Sequence, residues 1–193
     1  MNLLNVILGV CITSIMSYFS ILNISNQKKN KLDFIVYNLI FILLFVFSCL
    51  YLQGLTRLIT NIIFIIISVY LTIFKKDISN SVYYTLAYEM LAFISEFIIS
   101  VCVLILFKFD ATVYSNLPFS LLISSILNSL LVCFASRIKF VYENIRKLSE
   151  NIKKNNKDWI YIILVMVLMV LLMTFNRYKM NSTIEYYIYI VIL

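Results

Sequence analysis

The chain has 193 residues, 63% of them hydrophobic and 13% charged, with a mean hydropathy of +0.98. Soluble domains average about 45–50% apolar and about 25% charged residues, and a chain this short cannot hide so much apolar surface in one core. Lipid is therefore the expected solvent, and the net charge of +7, which falls between apolar segments, points to membrane topology rather than to nucleic acid. Two glycines and one proline argue against a turn-rich β-barrel. The absence of histidine rules out acid–base catalysis, metal ligation or phosphorelay through a histidine of this chain.

A helix needs about 20 mostly apolar residues to cross a hydrocarbon core about 30 Å thick. In chain order the candidates are Leu3–Leu22, Phe34–Leu52, Leu58–Phe74, Ser81–Phe107, Leu117–Ala135 and Trp159–Phe175. Ile184–Leu193 reads as the start of a further span. Only a helix or a closed barrel satisfies every backbone amide in lipid. The expected fold is an all-α polytopic membrane protein: one sensor-like domain over 1–193, a bundle of six transmembrane helices plus the start of a seventh. The first segment lacks a basic leader and a small-residue exit, so it is expected to be retained rather than cleaved.

Lysine and arginine set the orientation. The first, third and fifth connections carry twelve of the sixteen basic residues, and Arg57, Lys108, Arg177 and Lys179 are the remaining four. The twelve are expected in the cytoplasm, which puts the N-terminus outside. The fifth connection is the long one. Within it Ile138, Val141, Ile145, Leu148 and Ile152 recur at alternating spacings of three and four, which predicts an amphipathic cytoplasmic helix over 138–153. Such a helix either pairs with a partner helix and couples the spans, or extends the fifth span and rests on anionic lipid.

Charged groups inside lipid are costly and usually face protein or water. Glu89 and Glu96 lie seven residues apart in the fourth segment, hence on one helix face. They are candidates for intramembrane polar coupling, with Ser95, Ser100, Asn38, Asn61 and Asn128 as possible hydrogen-bond partners. Alternatively, Tyr83, Tyr84 and Tyr88 form an interfacial aromatic belt that places Glu89 among headgroups. At the outer mouth the candidate ligand-binding residues are Gln53, Arg57, Asn61, Asn116 and Asn176, with Tyr51 and Tyr114 beside them. Arg57 offers a fork of donors to a ligand carboxylate, or else snorkels to the interface. Cys11, Cys49, Cys102 and Cys133 each sit alone in an apolar stretch and read as small apolar residues. No phosphate loop, dinucleotide fingerprint, zinc-protease or nucleophile-elbow motif occurs. No catalytic residue, cofactor or metal site is expected, and the chain does not read as an enzyme.

One stretch carries a resemblance. After a short first span ending in Asn26–Gln27–Lys28–Lys29–Asn30–Lys31, the segment Asn61–Ile98 runs span, basic turn and span. Its turn is Lys75–Lys76–Asp77–Ile78, and Ser95–Glu96 lies near the middle of the second span. With the basic helix that follows, this pattern resembles the membrane sensor half of accessory-gene-regulator-type receptor histidine kinases of low-GC Gram-positive bacteria, whose cytoplasmic half is a GHKL-type ATPase. The resemblance implies a homodimeric plasma-membrane receptor of a quorum-sensing two-component system. Such a receptor detects a small secreted peptide outside and controls an attached kinase. The family's phosphoacceptor histidine and nucleotide boxes have no counterpart here, so no catalytic residue carries over and the kinase is expected to lie outside this chain. Two other classes remain open: the substrate-binding membrane subunit of a small-molecule importer, and a non-catalytic membrane assembly or immunity factor.

Overall fold

The computed structural model describes residues 3–52, 54–106 and 120–154. Gln53, Tyr114, Asn116, Asn176, the sixth expected span and the start of the seventh lie outside the described residues. The described chain is helical, with no strand among the described residues. Its helices are α1 (Leu3–Ser25), α2 (Lys31–Tyr51), α3 (Gly54–Thr72), α4 (Ile78–Leu106), α5 (Ser120–Ala135) and α6 (Lys139–Lys154).

Short polar residues mark the helix ends. Asn26 takes a left-handed backbone (φ 59°) directly after α1, a conformation asparagine tolerates better than most side chains. Asn30 caps α2, its side chain accepting from the Leu32 N–H. Between α3 and α4 the backbone passes through Lys75 (φ 46°) and Lys76 (φ 83°), and Asp77 then accepts from the Asn80 N–H at 3.1 Å to start α4.

Helix α1 is the hub, packing against α2, α4, α5 and α6. It runs antiparallel to α2, since Ser14 meets Asn38 while Tyr18 meets Phe34. It runs parallel to α5, since Gly9 faces Ser125 and Thr13 faces Ser129. A methyl group at Gly9 would lie 3.4 Å from the Ser125 hydroxyl, so the two helices approach closely there. Ser14, Ser17 and Ser20 on α1 are fully buried. Apolar association gains little where the solvent is itself apolar, so small residues and interhelical hydrogen bonds hold such bundles together. An aromatic column of Phe34, Tyr37, Phe41 and Phe45 fills the α2 side of the interface, with Phe41 and Phe45 stacked at 4.0 Å.

The outer surface is the more aliphatic one. Ile35, Leu39, Leu43 and Phe47 on α2 and Ile59, Ile63, Ile67 and Leu71 on α3 are exposed at helical spacing. Hydroxyls inside and bulky aliphatics outside is an arrangement that only an apolar solvent stabilises. Several helices are therefore long and apolar enough for a membrane, in agreement with a membrane location.

Length divides the helices. Ile7–Ser25, Lys31–Ser48 and Ile78–Val103 are long and apolar enough to cross. The apolar part of α3, Ile59–Thr72, is shorter. At the break before Lys139 the axis turns by 74°, so α6 does not continue α5 as an extended fifth span. Among the described residues the length and composition of the helices give three spans, or up to four with the bent pair taken as one, where the apolar runs alone predict five.

Candidate functional site

Buried hydroxyls in an apolar bundle need partners; most of those here find them in two ways, while the Thr85 hydroxyl is buried without a hydrogen bond among the described residues. Ser20, Ser25, Ser68, Thr72, Ser95 and Ser100 donate back to carbonyls of their own helix, which satisfies them without joining helices. A second set reaches across. Ser14 donates to the Asn38 amide oxygen at 2.6 Å, and the Ser17 and Tyr37 hydroxyls lie 2.8 Å apart with either able to donate. Tyr88 from α4 is buried beside the same group, close to the Ser17 and Tyr37 hydroxyls. Helices α1, α2 and α4 thus meet at a junction of three hydroxyls.

Glu89, next to Tyr88 in sequence, is half-buried at the edge of this junction, near enough for its charge to act on both tyrosines. No cation lies within ion-pair distance of it among the described residues. Glu96, on the same helix face, is exposed. The structure therefore separates the two carboxylates: Glu89 adjoins the polar seam, and Glu96 looks outward. Tyr83, Tyr84 and Tyr88 do not form an interfacial belt, because all three are buried. Tyr84 stacks on Phe74, with ring centres 5.3 Å apart.

Of the remaining partners anticipated for the carboxylates, Asn38 and Asn61 are engaged elsewhere and Asn128 is not. Asn38 accepts from Ser14, Asn61 accepts from Ser48 at 2.5 Å, and the Asn128 side-chain oxygen is buried without a hydrogen bond. Of the mouth residues, Tyr51 is exposed at the end of α2 with its ring against Phe47, and Arg57 is half-buried in the first turn of α3. Arg57 is the one cation at that end among the described residues. Asn61 faces the α2–α3 contact rather than an open mouth.

A clasp closes the opposite end. The Arg146 guanidinium on α6 donates from Nε to the Ile24 carbonyl at 2.9 Å and from Nη2 to the Asn23 carbonyl at 2.7 Å. It lies 4.5 Å over the Tyr142 ring. The last carbonyls of α1 have no helical partners of their own, and a cation at a helix C-terminus also complements the helix dipole. On the other side of α6, the Tyr83 hydroxyl of α4 donates to the Ile145 carbonyl at 2.6 Å. Helix α6 is therefore bound to α1 and to α4, two of the three helices that share the hydroxyl junction.

Sequence pattern missed most of this. Ser14, Ser17 and Ser20 recur every three residues, a small-residue stripe that marks a crowded helix face and was readable. Nothing in the local sequence marks Arg146 as a cap for Asn23 and Ile24, because 122 and 123 residues separate them.

The chain matches no family model, no curated protein and no solved structure.

Proposed function

We propose that this chain is the membrane-embedded sensor part of a bacterial receptor, non-catalytic itself, which passes a signal from its outer end to a cytoplasmic output partner. The observation that supports it is the double attachment of α6, by Arg146 to α1 and by Tyr83 to α4. A shift of α1 against α4 cannot leave α6 in place, so bundle movement becomes movement of the segment leading away from residue 154. The hydroxyl junction supplies a switchable contact. Ser17, Tyr37 and Tyr88 can each donate or accept, and Glu89 beside them can accept, so small helix displacements have alternative pairings available.

In this reading the protein crosses the plasma membrane of a low-GC Gram-positive bacterium six times and enters a seventh span, with its N-terminus outside and α6 in the cytoplasm. It works as a homodimer in a quorum-sensing two-component system. A small secreted peptide engages the outer end near Tyr51 and Arg57, and the kinase it governs is carried beyond this chain. An Asn151→Cys variant, in a background with the native cysteines replaced, should be labelled only after permeabilisation. For the relay, the chain is fused to a reporter kinase and exposed to culture fluid of the source strain. Arg57→Ala should raise the dose giving half response, and Tyr83→Phe and Glu89→Gln should change basal output. Normal expression with parental behaviour in all three variants would defeat the reading.

A further inference from the structure

Beside the clasp lies an open cleft of about 340 Å³ between the end of α1 and α5–α6. Its polar lining includes Asn23, Asn26, Gln27, Lys29, Arg137 and Arg146. Three of these are cations, and no carboxylate lines the cleft. Arg146 is partly neutralised by the α1 carbonyls that it caps, yet its Nη1 makes no hydrogen bond among the described residues. Lys29 and Arg137 are exposed at the rim without an ion pair among the described residues, Lys29 lying 4.9 Å over the Phe19 ring. The Asn26 and Gln27 amides are exposed donors on the same rim. Forked guanidinium donors, an ammonium and side-chain amides around one cavity are the chemistry that recognises a phosphate oxyanion.

We propose that this cleft binds the phosphate of an anionic phospholipid headgroup. The source of the phosphate follows from what adjoins the cleft. Phe140 and Leu148 on α6 are large exposed apolar side chains, 76% and 49% accessible, on a helix otherwise rich in lysine. A basic helix with such residues lies at the boundary between headgroups and acyl chains, the depth at which a lipid would present its phosphate to the cleft. The volume also suits a glycerophosphate headgroup, falling at the lower end of the roughly 300–1,000 Å³ typical of ligand pockets. This inference does not depend on the sensor reading.

The test is binding of a fluorescent short-chain phosphatidylglycerol to the purified chain in uncharged detergent. Phosphatidylcholine of the same chain length serves as the neutral comparison. Phosphatidylglycerol should bind at least tenfold more tightly. Lys29→Gln and Arg137→Gln replace rim cations whose charges form no ion pair among the described residues, Lys29 meeting only the Phe19 ring. Each should weaken binding about fivefold, and the pair roughly 25-fold, the factor expected for cations near an anionic surface. The double variant Lys76→Gln/Lys147→Gln removes two exposed cations of the same end outside the cleft and should change affinity less than twofold. An equal loss in that control would show diffuse charge attraction and overturn the site. Displacement by inorganic phosphate at concentrations matching the lipid would keep the oxyanion chemistry but overturn the lipid as its source. Equal affinity for the two lipids would overturn the proposal altogether.

Discussion

Among the described residues, the two ends of the bundle show different contacts. At the basic end, the turns and helix termini are tied by directed polar contacts. Arg146 bonds α1, Tyr83 bonds α6, Asn23 donates to Ser136, Tyr18 donates to the Asn30 carbonyl, and Lys75 lies 3.8 Å from Asp33. At the end carrying Tyr51 and Arg57, α2 and α3 share the Ser48–Asn61 bond, and Leu50, Tyr51 and Leu106 are exposed. The difference teaches how this chain uses polarity. Among the described residues, directed bonds fix the end where α6 is held.

Removing the clasp should break that comparison most severely. Arg146→Ala leaves the α1 carbonyls without their charged donor, and two such bonds contribute about 3 kcal/mol, read as lost thermal stability of the purified protein in detergent. Arg146→Lys should recover only part of this, because an ammonium cannot span both carbonyls as the planar fork does. The seam between the ends comes next. Tyr37→Phe should cost about 1 kcal/mol in the same assay, within the measured range for interhelical hydrogen bonds in membranes. Relief of backbone strain gives an effect of opposite sign. Lys76→Gly removes a side chain from a left-handed position and should stabilise by about 0.5–1 kcal/mol, less the small loss of one surface charge. At the end carrying Arg57, Ser48→Ala should cost only about 0.6 kcal/mol. Glu96→Gln, at an exposed position, should fall within about 0.5 kcal/mol of the parent. If Ser48→Ala proved as damaging as Arg146→Ala, the contrast between the ends would be lost.

Particular residues show how far the sequence could be read. Lys31, Lys75 and Arg137 occur in the first, third and fifth connections, and alternation of charge along the chain predicts that they gather at one end, as they do. The helix over 138–153 is legible from its apolar spacing and is found at Lys139–Lys154. Its bend is not legible, since no proline or glycine marks residues 136–138, where the axis turns by 74°. Tyr83, Tyr84 and Tyr88 illustrate a different failure. Tyrosine suits an interface and a polar seam equally well, and only the neighbours on α1, α3 and α6 decide between them. The same applies to Glu89 and Glu96, which share a helix face in sequence but differ in what packs beside them.

By itself, then, the sequence determined that the chain is helical, apolar on its outer faces and charged mainly at one end. Composition and periodicity are properties of each segment, and the solvent acts on each segment separately. The tertiary structure alone decided which carboxylate adjoins the hydroxyl junction, which arginine caps α1 and where a cleft lined by cations opens. Those features arise between helices, where residues more than a hundred positions apart meet, and no local pattern encodes which of them will touch.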